Sequence, residues 1–182
     1  MENKVLLDTP LLNIMIDRLC YELIENHNEF DQAVLIGVQP RGIYLSERIH
    51  KRLGEILGKS TIKHGLLDIT FHRDDFRRRE EIPAPSSTRV DFIIEDRNVI
   101  LVDDVLYTGR TIRAAMDAIL AFGRPRNVEL LVLIDRKFSR QLPVQADYIG
   151  ASVDAITSQK VKVKWEHLDG KDEVILYTPG IV

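Results

Sequence analysis

The chain has one cysteine, Cys20, in 182 residues. An intramolecular disulfide is therefore excluded. Cys20 lies in an apolar-periodic segment, where packing rather than thiol chemistry is the expected role. No apolar run approaches the roughly 20 residues of a membrane-spanning helix, and the opening MENKVLLDTP lacks the apolar core of a signal peptide. The expectations are no membrane and a cytoplasmic location. Strong charge of either sign is also missing. A net charge of -3 argues against bulk electrostatic binding of nucleic acid, while leaving room for a local basic patch. There is no internal repeat, and the five histidines are scattered without metal-ligand spacing. What is present is a 45% apolar composition, enough for one sizeable domain over residues 1–182.

The apolar periodicity alternates between strand and helix. Thr9 and Pro10 read as the N-cap and first position of a helix reaching about His27. Strands are expected at Ala33 to Val38, Gly65 to Thr70, Asn98 to Asp103 and Val128 to Ile134, and shorter ones at Val161 to Trp165 and Glu173 to Tyr177. Helices are expected from Arg41 to Leu57 and from Thr111 to Phe122, the latter stopped by Gly123. Between His72 and Arg89 the pattern is lost, and arginines, prolines and serines suggest a long mobile loop. Alternating strands and helices imply an α/β fold with a mostly parallel central sheet flanked by helices. Sites in such sheets lie at the carboxyl ends of strands. That rule selects Gly37 to Gly42, Asp103 to Thr111, and the segment following Asp135.

The middle segment carries the most chemistry. An apolar strand runs into Asp103 and Asp104, then Tyr107-Thr108-Gly109-Arg110-Thr111 opens a helix. Adjacent carboxylates repel and need a cation or hydroxyl partners. Helix-opening amides and two threonine hydroxyls suit a phosphate, so the combination suits a phosphorylated ribose. The loop has one glycine and no following Gly-Lys-Thr, so it is neither a dinucleotide fingerprint nor a triphosphate loop.

This segment resembles the ribose-phosphate motif of type I phosphoribosyltransferases. Asp68 to Phe76, Val99 to Arg113, Gly123-Arg124-Pro125, Leu142-Pro143 and Ala146 to Gly150 extend the resemblance to the PyrR family, whose members join pyrimidine-operon attenuation to uracil phosphoribosyltransferase activity. The resemblance implies a type I phosphoribosyltransferase fold with a small hood, built from about residues 135–182 and the N-terminal segment, and a flexible lid over about residues 72–89. It implies that Asp103 and Asp104 hold the ribose hydroxyls of phosphoribosyl pyrophosphate and that Tyr107, Thr108, Gly109, Arg110 and Thr111 wrap its 5′-phosphate. Gln39, Pro40, Arg41 and Gly42 match the pyrophosphate loop, with a cis peptide expected at Pro40–Arg41. Arg73 belongs to the lid and faces the leaving pyrophosphate. Asp135 and Arg136 start the base-reading hood, where Ile149 either packs on the pyrimidine or fills the core. Mg2+ is expected near Asp103 and Asp104 through substrate and water, with no direct protein ligand.

The implied products are UMP and pyrophosphate from uracil. Two alternatives stand beside that reading: a UMP-responsive RNA-binding regulator, and transfer to a purine base. The family's RNA surface uses cations of the first helix and hood. Here Arg18, Arg140, Lys160 and Lys162 remain, but Asp17, Tyr21, Gln145 and Ala151 depart from the family pattern, and one extra residue lies between Asp135 and Ala146. Each lost cation removes a phosphate contact, so binding of pyrimidine leader RNA is expected to be weak or absent. Exposed apolar residues on a small domain point to a homodimer or larger assembly.

Overall fold

The computed structural model describes residues 4–59, 61–73, 87–156 and 158–179. Five strands form a parallel sheet in the order β3-β2-β4-β5-β6: β2 (Ala33–Val38), β3 (His64–Leu67), β4 (Asn98–Leu106), β5 (Asn127–Lys137) and β6 (Tyr148–Asp154). Three shorter strands, β1 (Lys4–Leu7), β8 (Glu173–Tyr177) and β7 (Lys160–Lys164), form a separate antiparallel sheet in the order β1-β8-β7. This small sheet joins the two ends of the described chain. A short helix, α4 (Glu166–Asp169), links its last two strands.

The parallel sheet has an apolar cluster on each face. The first cluster packs Leu12, Ile16, Leu19, Cys20 and Leu23 of α1 (Thr9–His27) and Leu45, Ile49 and Leu53 of α2 (Gly42–Leu57) against Leu35, Ile100, Val102, Leu131 and Leu133. The second packs Ile112, Ala114, Ala115, Ala118 and Ile119 of α3 (Arg110–Ile119) against Val34, Ile36, Val99, Leu101, Leu130 and Val132. Alternate residues of β4 face opposite clusters, as the two-residue period of a strand requires. Burial explains why these strands read as nearly continuous apolar runs. Cys20 is fully buried, and desolvation pushes its thiol up to about 12. It is a packing residue.

Several expected boundaries differ. The N-cap of α1 is Asp8, whose carboxylate accepts from the Leu11 amide at 3.0 Å, while Thr9 is the first helical residue and donates its hydroxyl to the Asp172 carbonyl at 2.7 Å. The third strand starts at His64 and ends at Leu67, because Asp68 accepts from both the amide and the hydroxyl of Thr70 and turns the chain into a 3₁₀ turn, Thr70–His72. The helix expected to reach Phe122 ends as an α-helix at Ile119 and tightens into a 3₁₀ turn at Leu120–Phe122. The largest differences are in β4 and β5. Pairing continues through Val105↔Ile134 and Leu106↔Asp135, so Asp103, Asp104, Asp135 and Arg136 lie inside strands rather than beyond their ends. Most of the expected lid, residues 74–86, lies outside the described residues. At its far edge Arg89 forms an antiparallel bridge with Leu66, with both backbone hydrogen bonds at 2.8 Å.

Candidate active site

The carboxyl ends of β2, β4 and β5 converge on one region. A cavity of about 190 Å³ is lined there by Arg73, Asp103, residues 105–109, Arg110, Thr111 and Ile112. The site is therefore assembled from β4, the loop that follows it, the start of α3 and the edge of the segment after β3.

Asp103 and Asp104 are both buried, with 6% and 8% exposure. Their side chains leave opposite sides of β4, as neighbours in a strand must. Asp103 Oδ1 accepts from the Asp104 amide at 2.9 Å. Burial pushes the Asp103 carboxyl well above the usual carboxylate range; the neighbouring Asp104 charge adds to this, and Arg73 offsets part of it. Burial raises Asp104 as well, while the Arg41 guanidinium opposes that shift. Two carboxylates held dry and adjacent are acceptors in want of donors or a cation.

The loop after β4 ends in a glycine-capped helix start. Gly109 is the N-cap of α3 and adopts φ +91°, a left-handed conformation that glycine takes at little cost. It presents the first amides of a ten-residue helix toward the cavity. The Arg110 amide lies 3.4 Å from Thr108 Oγ1.

The segment Gln39 to Gly42 approaches from the other side. Gln39 is buried and donates its side-chain amide to the Ser87 carbonyl at 3.0 Å. A Cβ on Gly42 would meet the Val102 carbonyl oxygen at 2.4 Å and Asp103 Cα at 2.8 Å. Only glycine lets α2 begin this close to β4. The cis peptide here is Gln39–Pro40, not the expected Pro40–Arg41 bond; it sits at the X–Pro bond, where the cis form is least unfavourable. Arg41 reaches across the site: its Nε lies 3.5 Å from Asp104 Oδ2, and its Nη2 donates to the Val163 carbonyl and lies 3.4 Å from Asp169 Oδ2. Asp169 also takes Lys162 Nζ at 2.9 Å and the Trp165 amide at 3.2 Å, and these contacts hold its carboxyl below the usual range.

Arg136 is 96% buried by its 4% exposure, and its guanidinium stacks over the Tyr107 ring at 4.0 Å. Its Nε and Nη2 have no hydrogen-bond partner among the described residues. Asp135 instead pairs with Arg140. Ile149 is half-buried beside Val132 and packs against the α3-side cluster. Among the described residues no group of three or more His, Cys, Asp or Glu side chains is placed to hold a metal ion.

Sequence reasoning missed Asp169, and it named Gly42 and Arg140 without the contacts they make. Asp169, which holds Arg41, lies 128 positions away and carries no local motif. The close approach at Gly42 depends on sheet geometry. Arg140, expected to face an RNA phosphate, turns inward instead; its spacing of five from Asp135 was the available signal.

A buried acidic pair between a glycine-capped helix start and a second loop across the sheet defines a class. The phosphoribosyl transferase domain family matches residues 2–169, and the chain belongs to that family. Its place within the family is the PyrR group. It is 45% identical over 173 residues to the bifunctional protein PyrR of Desulfosudis oleivorans, with 95% of each chain covered. It is 41% identical over 180 residues to that of Bacillus cereus, covering 97% of this chain and 98% of the relative. Among solved structures, a hypoxanthine phosphoribosyltransferase from Staphylococcus aureus superposes with a TM-score of 0.69 at 16% identity, covering 97% and 92% of the two chains. The Trypanosoma cruzi enzyme in complex with the product IMP gives 0.67 at 16% identity, covering 97% and 90%. At that identity the structural likeness concerns the fold.

Proposed function

We propose that this chain transfers the phosphoribosyl group of phosphoribosyl pyrophosphate to uracil, giving UMP and pyrophosphate. The observation that carries the reading is the buried Asp103–Asp104 pair, with Asp103 lining the cavity of the Tyr107-to-Thr111 loop and Gly42 pressed against its backbone. The 5′-phosphate takes the amides of residues 107–111 and the threonine hydroxyls. The ribose hydroxyls donate to the two carboxylates, adding to the few donors these buried acids have within the chain. Arg41 and Gly42 lie where the pyrophosphate leaves.

Mg2+ fits this donor set. Two buried carboxylates favour a nearby cation, and Asp103 and Asp104 would hold it in the site alongside the substrate and water. When bound, it supplies positive charge that offsets the charge gathering on the departing pyrophosphate. The protein's own residues do the rest. Arg73, which lines the cavity beside Asp103, adds positive charge at the same place. Asp103 and Asp104 fix the ribose so that the base meets the anomeric carbon in line with the leaving group.

Base reading falls to the hood segment that begins at Asp135 and Arg136, where the buried Arg136 guanidinium backs the Tyr107 ring. The PyrR relatives support a pyrimidine, whereas the hypoxanthine enzymes support only the fold. The test is pyrophosphate release with phosphoribosyl pyrophosphate, Mg2+ and a panel of uracil, cytosine, hypoxanthine and guanine. Uracil should be preferred by at least tenfold in kcat/KM. Preference for a purine would reverse the assignment of the base while keeping the chemistry.

A further inference from the structure

We infer that Arg140 is a positioning residue that holds the phosphate loop from behind and ties it to the base-reading strand. The starting point is how completely its guanidinium is used. Nε donates to the Val144 carbonyl at 3.0 Å. Nη1 faces three carbonyls: Tyr107 at 2.5 Å, Arg136 at 3.2 Å and Leu106 at 3.3 Å. Nη2 pairs with the Asp135 carboxylate. One side chain therefore joins the end of β4, the end of β5 and the return segment before β6.

The acceptors are the very stretches that shape the site. Leu106 and Tyr107 lead into the phosphate loop, and the Tyr107 ring lies against the Arg136 guanidinium. The segment that carries Arg140 continues the support. Gln141 and Leu142 donate their amides to the Thr108 carbonyl at 3.0 and 3.2 Å, and Arg110 Nε donates to Gln141 Oε1 at 2.8 Å. Val144 lies where a Cβ on Gly109 would meet it at 3.2 Å. Residues 140–144 thus form a bracket on the outside of the loop, with Arg140 at its centre.

Only an arginine can do this. The planar fork has five N–H donors in fixed directions, and here they match acceptors on three segments at once. A lysine keeps the charge opposite Asp135 but loses the simultaneous reach. Without the bracket, the loop after β4 keeps its sequence but not its fixed carbonyl positions, so its amides no longer converge on the phosphate. Displacement of this kind costs affinity for the anion more than affinity for the base.

The inference rests on the phosphoribosyl reading of the site, and ribose 5-phosphate separates the two. It carries the phosphate and the hydroxyls but no base and no leaving group. Calorimetric titration of the wild-type chain with ribose 5-phosphate comes first. If the wild type does not bind it, the reading of the site falls and the positioning role falls with it. Given wild-type binding, Arg140→Met should weaken ribose 5-phosphate at least tenfold and raise KM for phosphoribosyl pyrophosphate by a similar factor. KM for the base should stay within threefold, and the melting temperature within a few degrees. Arg140→Lys should fall between the two and serves as the deciding variant if Arg140→Met does not fold. Wild-type affinity for ribose 5-phosphate in a folded Arg140→Lys or Arg140→Met protein would overturn the inference. So would an equal loss in both KM values and in kcat accompanied by a lowered melting temperature, since that pattern marks a purely structural role.

Discussion

Arg41 Nε sits 3.5 Å from Asp104 Oδ2, so the loop expected to hold pyrophosphate is already linked by charge to the strand expected to hold the ribose. The same guanidinium lies 3.4 Å from Asp169 beside the small sheet. Three parts of the chain thereby meet at one cation. Arg41 is partly exposed, so its pairing with Asp104 is a matter of orientation more than of stability. The consequence for the site is that Asp104 has a positive neighbour on one side and a buried acid on the other.

Asp104→Asn is the cleanest probe of this arrangement. The substitution keeps the shape and removes the charge. It should raise KM for phosphoribosyl pyrophosphate and lower kcat/KM about a hundredfold, ~2.7 kcal/mol of transition-state stabilisation. Steady-state kinetics with circular dichroism as the folding control measure this. Wild-type kinetics in a folded variant would remove Asp104 from the site.

Gly42→Ala tests the close approach of α2 to β4. A methyl at this position meets the Val102 carbonyl oxygen at 2.4 Å, and backbone cannot give way cheaply. The expected loss of stability is about 1–3 kcal/mol, read from urea unfolding, with a larger relative loss of activity because Asp103 must move. Unchanged stability would show that the helix start can slide.

Much of this architecture was legible in the residue pattern, for identifiable reasons. Ala33 to Val38 and Val128 to Ile134 read as strands because burial on both faces demands unbroken apolar runs. The Asp103-to-Thr111 segment was legible because acids, glycine and threonines at a strand-to-helix junction have few other uses. Charge at Asp103 and Asp135 reads as a mark of solvent, so the expected strands stop short of their true ends. In fact Asp103 and Asp104 are buried inside β4 and Arg136 inside β5. Functional sites keep charges where a stability argument would not put them. The role of Asp169 depends on a contact between distant segments, which no local pattern encodes, and the inward turn of Arg140 is only partly signalled by its spacing from Asp135.

His64 predicts an acid sensitivity. Its ring stacks on His50 at 4.8 Å, and its Nε2 lies 3.0 Å from Ser46 Oγ, whose own proton goes to the Ile43 carbonyl. Burial, assisted by His50 and Arg89, lowers its pKa to about 4. Between that value and an unfolded pKa of about 6.5, the unfolded chain binds more protons. Stability should therefore fall as pH drops through this window, by at most about 3 kcal/mol from this group. Urea melts at pH 7, 5.5 and 4.5 should show a shallower decline for His64→Gln than for the wild type. Parallel declines would assign the sensitivity elsewhere.

Leader RNA should bind weakly or not at all. Arg18 spends its guanidinium on the Ile149 and Gly150 carbonyls at 2.6 and 2.9 Å and on Glu22 at 3.0 Å. Lys162 is paired with Asp169, Arg140 is turned inward, and Asp17 neutralises Arg52 at 2.6 Å. Three of the four cations kept on the family's RNA surface are thus engaged within the chain, so any affinity should vary little with salt. A titration with a pyrimidine leader stem-loop and a scrambled control, with and without UMP, decides the matter. Nanomolar, sequence-selective binding strengthened by UMP would show that these cations rearrange on the RNA.

The central claim is that the buried acids of β4 and the loop after it serve phosphoribosyl transfer to a pyrimidine. Conversion of radiolabelled uracil to UMP in the presence of phosphoribosyl pyrophosphate and Mg2+ tests it most directly. The wild-type chain should form UMP in amounts that match the pyrophosphate released, and Asp104→Asn should slow that conversion about a hundredfold. No labelled UMP from a folded wild-type chain, under conditions where another base is consumed or where none is, would contradict the account.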